Sequence, residues 1–218
     1  MYPKGIAFHH VLNAYANGLF PMGDDAATET FYWYDPPVRA LLPIAGLHIP
    51  RRLARTVRQF PYTVRIDTAF PAVIDACAAA GSGRERTWIN RPIQEMFADL
   101  HRAGFAHSVE CWEGKMLVGG LYGLALGGAF MGESMFSRAR DASKIALVHL
   151  CARLWQAEFS VLDTQFVNDH LKQFGVYEVP KITYLERLHA ALDARCDFSL
   201  SGVEERSLVS SYLLNRVF

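Results

Sequence analysis

The chain has no C-x-x-C pair, and its four cysteines, Cys77, Cys111, Cys151 and Cys196, stand far apart. That spacing excludes the usual thiolate zinc and dithiol redox motifs. No basic, apolar and small-residue leader precedes them, so reduced thiols and a cytoplasmic location are expected. Also missing are H-E-x-x-H, G-x-S-x-G, and the Lys-Ser/Thr ending that would make a phosphate loop of the glycines between Gly119 and Gly128. Metal and nucleoside triphosphate chemistry therefore lose support, and no cofactor is expected. The longest apolar stretch, Met116 to Met131, is interrupted by five glycines and falls short of the ~18 residues of a membrane span. There is no excess of either charge, since 22 basic residues balance 22 acidic ones. A polyanionic partner would have to meet a local patch.

What is present is globular composition, 51% hydrophobic and 20% charged over 218 residues, enough for one large domain with a small appendage. Ala7 to Asn17 suits a short amphipathic helix ended by Asn17-Gly18. Residues 18 to 46 are rich in Pro, Gly and aromatics, which predicts loops and short strands with a domain junction near Pro36-Pro37. Helices are predicted at Pro50 to Gln59, Phe70 to Ala80, Pro92 to Arg102 and Ala142 to Glu158, with a polar loop at Gly81 to Arg86. Strands are predicted at Tyr62 to Ile66, His107 to Trp112, Met116 to Tyr122, Leu126 to Met131 and Val161 to Phe166, three of them forming a meander. Asn168 caps a short helix that Gly175 ends, and Thr183 with Glu186 has the capping-box spacing before a helix to Leu192. The tail after Arg195 carries little signal. This mixed order points to an α+β fold with a largely antiparallel sheet.

Four places could carry chemistry. In Gly132-Glu133-Ser134-Met135-Phe136-Ser137, extended backbone would put Glu133 and Met135 on one face, an acid beside a thioether; the alternative is a strand end with Glu133 solvated or paired to Arg138 or Arg140. Alternation likewise sets Asp163 and Gln165 on one strand face, where a carboxylate and an amide could hold an amine. Backbone-bonded strand-end residues are the competing reading. Arg51, Arg52, Arg55 and Arg58 form an acid-free basic run, of which Arg51, Arg55 and Arg58 share a helical face suited either to phosphates or to solvent. Trp33 and Trp88 are stacking platforms for a base or core residues. His107 and His170 read as structural or surface residues.

The segments Tyr15-Ala-Asn-Gly-Leu-Phe-Pro, Thr87-Trp-Ile, His107-Ser-Val-Glu, Leu117-Val-Gly-Gly-Leu-Tyr-Gly, Gly132-Glu-Ser-Met-Phe-Ser, Ala142-Ser-Lys and Leu162-Asp-Thr-Gln, in this order, resemble the bacterial leucyl/phenylalanyl-tRNA–protein transferases. The resemblance spans roughly Asn13 to Leu192. It implies a small N-terminal α/β domain, residues 1–37, followed by a GNAT acyltransferase-like domain, residues 38–218. It also implies transfer of Leu or Phe, with Met as a further candidate, from aminoacyl-tRNA to proteins starting with Lys or Arg, marking them for N-end rule degradation. By position, Asp163 and Gln165 match the family's catalytic strand pair, and Glu133, Ser134 and Met135 fall around the bound aminoacyl group. Leu121, Phe130, Leu150 and Leu162 match its apolar pocket, Trp88 an aromatic near the terminal adenosine, and Arg51 to Arg58 a surface for the tRNA acceptor stem. Met22 stands where some relatives have Trp, and the Gly-Gly-Asp-containing segment usual before the first helix is missing.

Two other classes compete. An acyl-CoA-dependent N-acyltransferase would show an Arg/Gln-x-x-Gly-x-Gly/Ala turn, whereas Ser137-Arg-Ala-Arg-Asp-Ala-Ser lacks those glycines. A noncatalytic tRNA-binding module would need the arginines but not Asp163, Gln165 or Glu133.

Overall fold

The computed structural model describes residues 8–79 and 87–215; the predicted loop from Gly81 to Arg86 lies outside them. The N-terminal segment carries α1 (Phe8–Ala16) and a two-stranded antiparallel sheet of β1 (Phe20–Met22) and β2 (Tyr32–Tyr34). β3 (Val38–Leu41) then enters a seven-stranded sheet completed by β4 (Thr63–Ile66), β5 (Ala106–Glu113), β6 (Met116–Leu126), β7 (Ala129–Ser137), β8 (Val161–Asp163) and β9 (Tyr177–Pro180). Their order is β4-β5-β6-β7-β8-β3-β9. Only β7 and β8 pair in parallel, so the fold combines helices with a mixed, mostly antiparallel sheet.

Two helical layers cover the sheet. On one face α5 (Ala142–Gln156) packs with α2 (Arg51–Arg58) and α8 (Glu205–Asn215) in a cluster that includes Leu121, Phe130, Leu147 and Leu150. The other face takes α1, α3 (Phe70–Ala78), α4 (Arg91–Arg102) and α7 (Lys181–Leu192), with Tyr15, Phe97, Tyr122 and Tyr184 buried among them. α6 (Asp169–Lys172) is a single turn. Local caps account for several starts: Asn90 Oδ1 accepts from Ile93 N at 3.2 Å, and Asn168 Oδ1 accepts from Leu171 N at 2.9 Å.

The glycines between β5 and β7 serve packing. A Cβ on Gly119 would overlap Ala142 at the start of α5, so glycine lets the helix lie close on β6. Gly127, at φ +57, makes the tight turn between β6 and β7 beside the backbone of Ala191 and Leu192.

Several expectations about element boundaries are corrected. The third strand of the meander is not Leu126 to Met131: β6 runs on to Leu126, the chain turns at Gly127, and β7 continues through Ser137. β8 stops at Asp163 instead of Phe166, because an Asp163 carboxylate oxygen takes the N–H of Gln165 at 2.9 Å and Gln165 turns to φ 59. α7 begins at Lys181 with Pro180 as a cap that makes no side-chain bond, so Thr183 and Glu186 lie inside the helix instead of boxing its start. The quiet tail contains α8, whose Leu208, Val209, Tyr212 and Leu213 are buried.

The last feature of β7 matters most for function. Its register against β6 jumps from Tyr122–Ser134 to Gly123–Gly132, leaving Glu133 as the extra residue of a bulge. A bulge reverses the alternation beyond it. Phe130 and Met135, an odd five residues apart, therefore both pack toward the α5 layer, while Glu133 meets Tyr15 in the opposite one. The expectation that Glu133 and Met135 share a face fails for this reason.

Candidate active site

β7 and β8 pair only through Ala129–Met131 and Val161–Asp163. Beyond that point β8 ends while β7 goes on, and the strands leave a cavity of about 660 Å³ between them. Its α5 side is apolar, walled by Leu121, Met135, Leu147, Leu150, Leu162 and Leu171, while Glu133 and Gln165 bring polar groups. Trp88 stands half-buried on its wall.

Glu133 is 9% exposed, and its two oxygens differ. Oε1 accepts from Tyr15 Oη at 2.9 Å and from Gln165 Nε2 at 3.4 Å. Oε2 is buried with no hydrogen-bond partner among the described residues. Burial pushes the Glu133 carboxyl up to about 8, the Tyr15 bond partly offsetting this and the charge of Asp163 adding to it. Tyr15, from α1, is itself held well above the usual phenol range by burial and by Glu133.

Asp163 lies behind Gln165, fully buried. Its carboxylate pairs with the guanidinium of Arg39, also buried, and accepts from Tyr184 Oη at 2.9 Å. Arg39 Nη1 reaches back to the carbonyl of Gly18 at 2.6 Å. Burial, then the negative charge of Asp163, raises the Tyr184 phenol.

The cavity thus gathers Trp88, Leu121, Glu133, Ser134, Met135, Leu150, Leu162 and Gln165. Phe130 stays in the core, stacked on Phe198 at 5.3 Å, and Asp163 does not line the cavity. The shared strand face expected for Asp163 and Gln165 is not formed, since the strand ends between them. Trp33 packs edge-on against Tyr15 at 6.2 Å. His170, on α6, reaches the cavity wall with its Nε2 buried and without a hydrogen-bond partner among the described residues; burial and then Lys144 lower its pKa. Arg51, Arg52, Arg55 and Arg58 are all exposed on α2, which buries Leu53, Ala54 and Val57 instead. No group of three or more His, Cys, Asp or Glu side chains able to hold a metal occurs among the described residues, nor does a helix long and apolar enough to cross a membrane.

Sequence reasoning missed Arg39 and Tyr184 and gave Tyr15 no role. The available signal was Arg39 itself, a lone charge in the apolar run Val38 to Leu42: a cation inside a buried strand requires an anion.

The profile of the leucyl/phenylalanyl-tRNA protein transferase family matches residues 41–189, and the profile of that family's N-terminal domain matches residues 9–37. The chain is 56% identical over 192 residues to a leucyl/phenylalanyl-tRNA–protein transferase of Phenylobacterium zucineum, covering 88% of this chain and 87% of the relative. A protein of the same description from Caulobacter vibrioides is 56% identical over 188 residues, 86% and 87% of the two chains. One from Hyphomonas neptunium is 54% identical over 188 residues, 86% and 73%.

Proposed function

The chain belongs to the leucyl/phenylalanyl-tRNA–protein transferase family, and from that premise we propose that its cavity holds the aminoacyl end of a charged tRNA while a protein's N-terminal amine attacks it. The enzyme is an aminoacyltransferase. The acceptor carries Lys or Arg at its N-terminus, and the product is marked for N-end rule degradation in the cytoplasm. Residues 1–37 form a small N-terminal domain, and residues 38–218 a GNAT-like one.

The observation that carries this reading is the division of the cavity. Five leucines and Met135 offer a side chain such as leucine or phenylalanine an apolar wall, and the Glu133–Gln165 pair offers amines polar partners. Transfer exchanges an activated ester for an amide. The amine nitrogen bonds to the carbonyl carbon, the bond from that carbon to the ribose oxygen breaks, and the amine's proton ends on that oxygen, so no ATP is needed.

An α-amine has a pKa of about 8 and is largely protonated at neutral pH. The Glu133 carboxyl is pushed up to about 8 as well, so at neutral pH it is mostly protonated and it is its ionised fraction that takes the ammonium proton, at little cost because the two values match. Gln165 positions the amine through its carboxamide, and Asp163 holds Gln165 by its backbone N–H. Trp88 stacks on the terminal adenosine, Ser134 lies beside the aminoacyl group, and the exposed arginines of α2, Arg51, Arg52, Arg55 and Arg58, take acceptor-stem phosphates.

The test is single-turnover transfer from pre-bound Leu-tRNA to an Arg-starting peptide. Glu133→Ala and Gln165→Ala should each slow it about 100-fold while tRNA affinity stays near normal. Normal rates in both variants would overturn the assignment.

A further inference from the structure

Asp163 has no lone pair left for a substrate. Oδ1 accepts from Arg39 Nε at 3.2 Å and from the backbone N–H of Gln165 at 2.9 Å. Oδ2 accepts from Arg39 Nη2 and from Tyr184 Oη. A carboxylate has about four acceptor positions, and four donors fill them. The residue is also 0% exposed, so neither an amine nor its proton reaches it in this arrangement.

Gln165 is what Asp163 does reach. At φ 59 it occupies the left-handed region, which a residue with a side chain holds only when its surroundings impose it. Both of its backbone polar groups are taken: the N–H by Asp163, the carbonyl by Ala40 N at 3.1 Å. Ala40 follows Arg39 in β3, and its own carbonyl accepts from Thr164 N at 2.9 Å. The turn so imposed brings the Gln165 carboxamide within reach of Glu133 on the cavity wall.

Arg39 is fixed as firmly. Besides Asp163 it bonds the Gly18 carbonyl and Tyr184 Oη, and its guanidinium lies between two rings, 4.7 Å from the centre of Phe20 and 4.4 Å from that of Tyr184. At 1% exposure it touches no cavity space.

We propose that Arg39 is a positioning residue for aminoacyl transfer: it orients the Asp163 carboxylate so that Oδ1 captures the Gln165 N–H, and thereby aims the Gln165 carboxamide into the cavity. Tyr184 assists from the other carboxylate oxygen. The inference rests on the reading of Gln165 as the group that meets the amine.

The experiment is a double-mutant cycle on the full chain, again by single-turnover transfer from pre-bound charged tRNA. Arg39→Lys keeps the charge but loses the planar fork, and is expected to slow transfer about tenfold with tRNA affinity within about twofold. In the Gln165→Ala background the same change should cost less than about threefold, because a residue acting through Gln165 has nothing left to position. A merely structural role would instead multiply the two losses in full, and that result, or a normal rate in Arg39→Lys, overturns the inference. Tyr184→Phe removes one donor and keeps the ion pair. It should show a smaller loss that likewise vanishes with Gln165→Ala, and it decides the matter if Arg39→Lys does not fold. A normal rate in Gln165→Ala alone would bring down the reading of Gln165 itself. A slow Gln165→Ala with multiplying losses brings down only the role of Arg39.

Discussion

Among the described residues, two arginine–carboxylate clusters are built on a buried guanidinium, one at the end of β8 and one between α5 and α8. In the second, Glu205 gives one oxygen to Arg153 and the other to His149 Nδ1 at 3.0 Å, while Arg153 Nη1 also bonds the carbonyls of Phe198 and Ser199, each at 2.8 Å. Both oxygens of that carboxylate are engaged in fastening the C-terminal helix to the central one. The first cluster starts the same way, with Asp163 saturated by Arg39, Tyr184 and Gln165, but continues through Gln165 to a second carboxyl, Glu133, that keeps one buried oxygen without a partner among the described residues. A carboxylate bonded at both oxygens holds structure even though Arg153 Nε beside it has no hydrogen-bond partner among the described residues, whereas a buried acid oxygen left unsatisfied beside a cavity is a place for a substrate.

The largest test of this contrast is Arg153→Met. It leaves the partly buried Glu205 with His149 but without its guanidinium, so stability measured by chemical denaturation should fall by about 3 kcal/mol, with the transfer rate per folded molecule unchanged. A slowed transfer would break the division between a staple and a site. Burial pushes the Glu205 carboxyl up, but bonding from His149 and the charge of Arg153 outweigh it and hold the carboxyl below its usual value. A depressed folded pKa adds stability above the unfolded value that is lost as pH falls through the folded one. The gap between wild type and variant should therefore close in acid.

Glu133 has the opposite sign. Its folded carboxyl keeps its proton up to about 8, against 4.5 ordinarily, so the native state binds more protons between those values and loses stability as pH rises through them. Glu133→Gln removes that dependence. Compared by denaturation at several pH values, the variant should match wild type in mild acid and exceed it by on the order of a few kcal/mol in mild alkali. Parallel stability curves would show that Glu133 is not held protonated by its surroundings.

The smallest effect tests the apolar wall without touching either cluster. Met135→Ala enlarges the cavity on the α5 side and should shift the preference from leucine toward phenylalanine by about tenfold in a competition assay, the low end of the about 1–3 kcal/mol that a methylene of fit is worth. An unchanged ratio removes Met135 from the wall.

Legibility in the sequence followed the range of the interactions. Asn168 caps its helix with a bond three residues long and α6 stands where that residue suggested, while α4 starts within one residue of the Pro92 that marked it, on an Asn90 cap that sequence reasoning missed. The strand boundaries around the cavity were misplaced because they depend on partners elsewhere. Nothing local in Gly132 to Ser137 announces that Glu133 is the residue β6 leaves over, and alternation along Leu162 to Gln165 does not survive a side chain capturing the backbone.

The sequence by itself determined the family, through motifs whose order and spacing are properties of the chain, and the residue types around the cavity, because apolar and polar character is local. Only the tertiary structure decided which carboxylate has spare capacity. Asp163 and Glu133 look equivalent along the chain, each an acid beside an apolar strand, until folding brings Arg39 across 124 positions onto Asp163 and Tyr15 across 118 positions onto a single oxygen of Glu133. A charge in a low-dielectric interior takes its character from its nearest partners, and the folded arrangement sets those partners.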